Sequence, residues 1–205
     1  RMGIKYSVIP NPIHHKSYEF LDGKKAAVSS MHSIISVGSY FWTKGHAFVI
    51  RSYAGSKFKN KIPLKIFGQK FNAHTDKLRS LSASLGIDEN MISFYEEMSG
   101  DLLLEAYFEA SLFISGSITE CQPLVLLDAM AVGLPFIARA TGCIPFMEGG
   151  VVVNSEFECA EKINYLLSNQ GELELLATRG MQEINSKHSP EKVKEQLEIF
   201  LTSYN

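Results

Sequence analysis

The stretch Ser115-Gly-Ser-Ile-Thr-Glu-Cys-Gln-Pro-Leu-Val-Leu-Leu-Asp-Ala-Met-Ala-Val-Gly-Leu-Pro135 decides the fold. It follows the apolar run 112–114, passes through a Ser/Gly loop and opens a helix at Pro123 that Gly133 and Pro135 bring to an end. A buried strand that leads through a loop into a helix is the repeating unit of a parallel α/β sheet. Because ligands of such sheets bind beyond the carboxyl ends of the strands, this loop is a candidate functional site.

Short apolar runs alternate with helical patterns along the rest of the chain. The runs carry few polar residues, as strands that are buried on both faces do. Predicted strands are 33–37, 64–67, 92–94, 112–114, 136–138 and 151–153. Predicted helices are 46–58, 74–85, 101–109, 123–132, 155–167, 173–186 and 190–203. A capping box over 155–158 opens the fifth of these helices, which runs to about 167, and Gly171 ends it. The fold class is therefore α/β, with a Rossmann-like doubly wound, mostly parallel six-stranded sheet.

Length and composition narrow the class of protein. The chain has 205 residues, 45% of them hydrophobic and 20% charged, and a net charge of −2. This composition is typical of one globular domain, and it excludes disorder or a coiled coil as a description of the whole chain. A near-neutral charge gives no electrostatic reason to expect nucleic acid as a partner. For the same reason we expect at most peripheral contact with a membrane.

The hydropathy and the cysteines indicate a compartment. No apolar run reaches the roughly 18 residues of a membrane helix, and the first residues do not form a signal peptide. Three scattered cysteines are too few for a disulfide framework, so we read them as reduced thiols. We therefore expect a cytoplasmic protein, with contact at the inner face of the membrane as the closest approach to a bilayer.

Two carboxylates flank the start of the predicted helix at Pro123. The first turn of a helix presents free N–H groups and the positive end of the helix dipole, which favours phosphate, and Leu124 and Val125 supply such groups. Glu120 and Asp128 can accept hydrogen bonds from hydroxyls of a ligand bound between them. The alternative is that Glu120 only favours the helix N-terminus and Asp128 lies on a solvated face.

The loops after the other predicted strands carry weaker signals. Gly38 and Gly45 bracket a loop in which Lys44 precedes a helix, although the P-loop pattern GxxxxGK[ST] is absent. Gly68 and Gly142 permit close backbone approach at the same edge of the sheet. The alternative is that each glycine only forms an ordinary turn and that Lys44 is a solvated surface residue. The six histidines show no metal-ligand spacing, and no GxSxG motif occurs.

In order along the chain, these residues resemble a known family. The segments are Val-Ile-Pro-Asn (8–11), Val-Gly-x5-Lys-Gly (37–45), Ile-Phe-Gly (66–68), Ala-Ser-Leu-Phe-Ile-Ser-Gly-Ser (110–117), Glu-x7-Asp-Ala-Met-Ala-x-Gly-Leu-Pro (120–135) and Thr-Gly-Cys-Ile-Pro (141–145). Together they resemble the C-terminal, donor-binding half of a GT-B fold glycosyltransferase of family 4, also called group 1. The resemblance covers nearly the whole chain, and the 110–145 block is its most specific part.

The resemblance implies a role for each matching position and makes Lys44 and Glu120 the catalytic residues. Glu120 would contact hydroxyls of the donor sugar, Asp128 would hold the ribose, and Lys44 would stabilise the departing nucleoside diphosphate. The amides of Leu124 and Val125 would bind the diphosphate, and residues 92–97 would lie along the base. Further donor-binding positions implied by the resemblance are Gly38, Ser39, Gly68, Phe94, Tyr95, Cys121, Gly142 and Cys143. The family implies no metal and no other cofactor.

Four departures from the family pattern bear on activity. Where the family usually has a basic residue in the first loop, this chain has Ser39. Where the family usually has a second signature glutamate, this chain has the shorter Asp128. The usual glycine after the third strand is Tyr95. In the 141–146 loop, Cys143 replaces a glycine and Phe146 an acid. These departures keep open a catalytically weakened or regulatory nucleotide-sugar binder, another GT-B enzyme such as a nucleotide-sugar epimerase, and a generic Rossmann binding module.

The resemblance also implies a domain organisation. Residues 1–187 are expected to form the nucleotide-sugar-binding domain, with 1–22 as a linker segment. Residues 188–205 are expected to form a helix that packs toward an N-terminal acceptor domain, with part of its apolar stripe exposed. The implied function is transfer of a hexose-type sugar from a nucleoside diphosphate donor to a glycan or lipid-linked acceptor held by that other domain. We expect the 205 residues alone to bind donor but to transfer sugar poorly or not at all.

Overall fold

A computed structural model describes residues 8–13 and 32–202 of the chain. Its centre is a six-stranded sheet in the order β3-β2-β1-β4-β5-β6, in which every neighbouring pair is parallel. The strands are β1 (Ile34–Val37), β2 (Leu64–Gly68), β3 (Ile92–Glu96), β4 (Leu112–Ser115), β5 (Phe136–Arg139) and β6 (Gly150–Val153). The predicted fold class and all six predicted strands are confirmed.

Seven α-helices connect or follow the strands in the described residues, which also contain the short 3-10 helices Trp42–Lys44, Glu89–Met91 and Ile144–Phe146. The α-helices are α1 (His46–Gly55), α2 (Ala73–Ser84), α3 (Gly100–Glu109), α4 (Leu124–Ala131), α5 (Glu156–Leu166), α6 (Gln170–Glu183) and α7 (Pro190–Thr202). A turn of π-helix, Ile184–His188, joins α6 to α7. The predicted helices are thus confirmed to within a few residues at most ends.

Two details of how the helices begin and end were predicted wrongly. Gly171 lies in the first turn of α6 rather than ending α5, because α5 ends at Leu166 without a left-handed residue and the chain turns through Ser168 and Asn169. At the start of α5, the Ser155 hydroxyl accepts from the N–H of Glu158, as a capping box requires. The Glu158 carboxylate, however, accepts from the N–H of Asn154, one residue before the expected partner.

The core lies on both faces of the sheet. Along β1, Ile34 packs into the cluster on the face of α1, α2 and α5, and Ile35 packs into the cluster on the face of α3 and α4. The side chains of one strand alternate between faces, and both faces are covered here, so both sets must be apolar. This explains why the strands appear in the sequence as continuous apolar runs.

The order of the strands creates a crevice between β1 and β4. From β1 the chain proceeds outward to β2 and β3, and then returns to β4 on the other side of β1. The loops after β1 and β4 therefore lead to helices on opposite faces, α1 and α4. A ligand site is expected at such a reversal of strand order, beyond the carboxyl ends of the strands.

The segment 8–13 lies against the turn of π-helix that precedes α7. The N–H of Ile13 donates to the carbonyl of His188, and His188 Nδ1 donates to the carbonyl of Asn11. The helix that follows, α7, has no buried residue in its described part, and Leu197, Ile199 and Leu201 are 45%, 62% and 58% exposed. Its packing toward another domain stays a prediction. Among the described helices, none has both the length and the apolar character that crossing a membrane requires.

Candidate functional site

The site begins where the loops after β1 and β4 touch through two glycines. Gly45 has a left-handed backbone (φ 67°), and a Cβ on it would lie 1.9 Å from the carbonyl oxygen of Gly116. A Cβ on Gly116 would lie 2.2 Å from the carbonyl oxygen of Gly45. The N–H of Ile118 also donates to the carbonyl of Thr43 at 2.9 Å. Only glycines allow two loops to approach this closely.

This contact brings together the two residues predicted to be catalytic. Lys44 precedes Gly45, Glu120 lies four residues beyond Gly116, and Lys44 Nζ is 2.7 Å from Glu120 Oε1. The Lys44 side chain is 35% exposed and that of Glu120 is 13% exposed. A cation and a carboxylate that come from separate parts of the chain thus form one charged pair at the edge of the crevice.

Beside this pair lies a cleft of about 670 Å³. Its walls come from the loops after β1, β2 and β3, from the loop that holds Glu120 and from the start of α4. Six of the predicted site residues line it: Gly38, Ser39, Lys44, Gly68, Glu120 and Val125. The volume suits a small organic ligand or cofactor. The part of these six residues in binding a donor stays a prediction.

The loop after β5 covers the backbone beside Glu120. Gly142 is left-handed (φ 55°), and a Cβ there would lie 2.1 Å from the carbonyl oxygen of Glu120. The N–H of Cys143 donates to the carbonyl of Cys121, and the N–H of Glu120 donates to the hydroxyl of Thr141. Burial raises the pKa of the Cys143 thiol. Cys121 itself is exposed.

The first turns of α4 carry the remaining predicted contacts. Leu124 is 54% exposed at the helix start, and Val125 lines the cleft. Asp128 follows Val125 by three positions, so the two lie on the same side of the helix. The buried Tyr107 donates its hydroxyl to the carbonyl of Val125. Burial, together with the charge of Asp128, raises the pKa of Tyr107. Its neutral hydroxyl holds this turn in place.

Phe94 and Tyr95 do not line the cleft that contains Lys44. Both residues border a separate cavity of about 520 Å³ between β3 and α2, together with Arg79. The Tyr95 ring also stacks on Phe67, with 4.7 Å between the ring centroids. Of the segment 92–97, it is Glu97 that reaches the cleft. Glu97 lies beyond the end of β3, where a left-handed backbone (φ 50°) breaks the alternation of the strand.

His46 supports the loop after β1, and no sequence motif marked it. It is buried, its Nε2 lies 3.0 Å from the carbonyl oxygen of Gly38 and its Nδ1 lies 3.3 Å from Ser36 Oγ. Burial lowers the pKa of His46 to about 4. A neutral imidazole with its proton on Nε2 satisfies both contacts, because a carbonyl oxygen only accepts. His46 thus fixes the Gly38 carbonyl at the wall of the cleft.

Tyr40 supports the same loop from the other side. It is buried, and its hydroxyl donates to the carbonyl of Tyr95 at 2.7 Å and lies 3.1 Å from the carbonyl oxygen of Ile66. Its ring explains Gly68, since a Cβ there would lie 2.4 Å from a ring carbon of Tyr40. The Tyr40 side chain thus connects the ends of β1, β2 and β3. A tyrosine in a polar loop gives no sequence signal for such a role.

Within residues 8–13 and 32–202, no group of three or more His, Cys, Asp or Glu side chains could hold a metal ion. The expectation that the protein uses neither a metal nor another cofactor stays a prediction.

Comparison with known proteins identifies the family. The sequence profile described as "Glycosyl transferases group 1" matches residues 18–183. The chain belongs to the group 1 glycosyltransferases. This confirms the resemblance stated from the motifs, and it places the chain among transferase enzymes.

Curated relatives agree with this membership. An uncharacterized glycosyltransferase of Haemophilus influenzae is 31% identical over 129 residues, covering 58% of this chain and 32% of the relative. The GDP-Man:Man(3)GlcNAc(2)-PP-Dol alpha-1,2-mannosyltransferase of Mus musculus is 25% identical over 200 residues, covering 88% of this chain and 38% of the relative. The chain thus spans about a third of the length of these two relatives.

A solved structure shows the same fold. HepE from Anabaena, determined in complex with UDP, superposes with a TM-score of 0.74 at 17% identity, covering 94% of this chain and 54% of that one. The likeness confirms the Rossmann-like architecture of GT-B glycosyltransferases for this group 1 chain.

Proposed function

We propose that this chain is the nucleotide-sugar-binding domain of a retaining glycosyltransferase. It takes a hexose-type sugar from a nucleoside diphosphate donor and passes it to a glycan or lipid-linked acceptor bound by another domain. The ion pair between Lys44 and Glu120, beside the cleft at the start of α4, carries the proposal. Family membership and the UDP bound by the related HepE support the class of ligand.

The leaving diphosphate is the group that most needs stabilisation. As the bond between the anomeric carbon and the phosphate oxygen breaks, negative charge grows on the diphosphate and positive charge on the sugar. Lys44 and the free amides of Leu124 and Val125 face that developing charge. They stabilise it more in the transition state than in the bound donor, which is what accelerates the reaction.

The sugar is held on the other side of the charged pair. Glu120 accepts hydrogen bonds from its hydroxyls, and Asp128 holds the ribose through the same chemistry. The acceptor oxygen attacks the anomeric carbon on the face that the diphosphate leaves. Because the new bond forms on that same face, the anomeric configuration is retained, and a phosphate oxygen of the leaving diphosphate takes the acceptor proton.

The proposal needs no bound cofactor. The Lys44 cation and the N-terminus of α4 supply the stabilisation that a divalent metal gives in other enzymes. We therefore expect transfer to persist in EDTA. We place the protein in the cytoplasm, with peripheral contact at the inner face of the membrane.

Calorimetric titration with UDP, GDP, ADP and their sugars tests the proposal. We expect the chain to bind the nucleoside diphosphate of one of these bases. Lys44→Ala should weaken the binding of that nucleoside diphosphate by about tenfold or more, because it removes a charge-assisted contact. Glu120→Gln should weaken the sugar nucleotide more than the free diphosphate. Lys77→Ala on α2 and Glu105→Gln on α3 are controls, because both side chains are exposed and outside the cleft.

Two results would contradict the proposal. One is that none of the three nucleotides binds. The other is that the Lys44 and Glu120 variants bind nucleotides as the two controls do.

A further inference from the structure

The charged side chains that line the cleft are Lys44, Lys70, Glu97 and Glu120, so the lining as a whole has no net positive charge to offset a bound diphosphate. Lys44 is already paired with Glu120 at 2.7 Å, so the two side chains together carry no net charge. Ser39, which also lines the cleft, is neutral. A free nucleoside diphosphate carries about three negative charges near neutral pH, since the second proton of a terminal phosphate is lost at a pKa of about 6. A lysine that is shared with a carboxylate offsets only part of that charge.

Lys70 is the other lysine that lines the same cleft. It lies in the loop between β2 and α2, and its side chain is exposed. It makes no hydrogen bond and no ion pair with any other residue in 8–13 or 32–202. Unlike Lys44, it therefore has its full charge available for a ligand.

Hydrogen bonds fix the loop that carries Lys70. The N–H of Phe71 donates to the Glu96 carboxylate at 2.7 Å, and Asn72 Nδ2 donates to the carbonyl of Tyr40 at 3.1 Å. These bonds join the loop to the end of β3 and to the loop after β1, which are two other walls of the cleft. The backbone of Lys70 is thus held at the mouth of the cleft, while its flexible stem leaves the ammonium group free to move.

We propose that Lys70 is the second phosphate-binding cation of the cleft and compensates for the neutral Ser39. It would approach the diphosphate from the β2 side, while Lys44 and the start of α4 approach from the β1 and β4 sides. The leaving group would then lie between two ammonium groups, of which only one is shared with a protein carboxylate. This inference rests on the proposed function, because it needs an anionic ligand in the cleft.

The test measures binding of whichever nucleoside diphosphate the unmodified chain prefers among UDP, GDP and ADP. We expect Lys70→Met to weaken it by about tenfold and Lys70→Arg to restore affinity to within about threefold, because the contact depends on charge. The logarithm of the affinity should also fall less steeply with salt in Lys70→Met, since one ion pair is missing. The control is Lys77→Met, a nearby exposed lysine that does not line the cleft.

The outcomes separate this inference from the proposed function. If Lys44→Ala loses affinity and Lys70→Met does not, Lys70 has no such role and the donor site stands. If Lys70→Arg is as weak as Lys70→Met, the side chain acts through shape and the proposal is wrong. If the unmodified chain binds no nucleoside diphosphate, both the inference and the proposed function fail.

Discussion

Gly45 and Gly116 touch backbone to backbone, with the carbonyl oxygen of each where a β-carbon of the other would be. The contact joins the two strands at which the order of the sheet reverses. Lys44 and Glu120 form their ion pair immediately beside it. The geometry of the charged site thus depends on two residues that have no side chain.

A methyl group at either glycine should separate the loops. We expect Gly45→Ala to cost about 2–3 kcal/mol of unfolding free energy, because it adds a clash with backbone to an unfavourable left-handed conformation. Gly116→Ala should cost somewhat less, and both should weaken nucleotide binding. Urea denaturation and calorimetry measure the two effects.

Gly171→Ala is the matched control for these variants. It lies in the first turn of α6, and a Cβ there would meet nothing within 4 Å. The change should leave nucleotide binding unaltered and stabilise the chain by up to about 1 kcal/mol. Unchanged stability and binding in Gly45→Ala would mean that the loops do not need this contact.

His46 should make the stability of the domain sensitive to acid. Its folded pKa of about 4 lies below the ordinary value of 6.5. Above pH 6.5 it is neutral in both states. As the pH falls toward 4, the unfolded chain gains a proton that the folded chain does not, so stability is lost. We expect a loss of about 2 kcal/mol from this residue between about pH 7.5 and pH 5.

The variant His46→Gln isolates this contribution. It should be less stable than the unmodified chain at pH 7.5, because it disturbs the contacts with Ser36 and Gly38. It should, however, lose less stability on acidification. Urea denaturation at the two pH values measures the difference, and an equal acid loss in both proteins would refute the assignment.

Removing the hydroxyl of Tyr40 should loosen the loop after β1, which forms one wall of the cleft. Tyr40→Phe leaves the ring in place but deprives the Tyr95 carbonyl of its 2.7 Å donor. We expect a loss of about 1–3 kcal/mol of unfolding free energy, the usual cost of an unsatisfied buried polar group. The control Tyr165→Phe, at a side chain that is 48% exposed, should change stability by less than about 0.5 kcal/mol. Equal effects would show that the Tyr40 hydroxyl adds nothing.

Thiol alkylation offers a test of where the donor lies. Cys121 is exposed and follows Glu120, whereas Cys159 is buried, and burial raises the pKa of its thiol to about 12. We expect the preferred nucleoside diphosphate to slow alkylation of Cys121 by iodoacetamide, as followed by mass spectrometry. Cys159 should react only after unfolding, and Lys44→Ala should abolish the protection. Alkylation of Cys121 at one rate with and without nucleotide would count against its position at the donor site.

The sequence predicted the strands well because a parallel sheet covered on both faces requires unbroken apolar runs. It also singled out Lys44 and Glu120, in the loops after β1 and β4, and the structure brings these two side chains together as an ion pair. It gave no sign of Lys70, Tyr40 or His46. Their roles depend on which loops meet at the sheet edge, and no short motif records that. Phe94 and Tyr95 were assigned to the donor site from the resemblance; both border another cavity, and their part in donor binding stays a prediction.

The pairing of β1 with β4 has a consequence for refolding. Ile34 is the register partner of Leu112, so these neighbouring strands are separated by 112 − 34 = 78 positions of chain. Closing so long a loop is slow compared with forming local hairpins or helices, and the walls of the cleft come together only once it has closed. After dilution from denaturant, helical circular dichroism should therefore recover first. The ability to capture a fluorescent nucleotide should return only with the slowest kinetic phase.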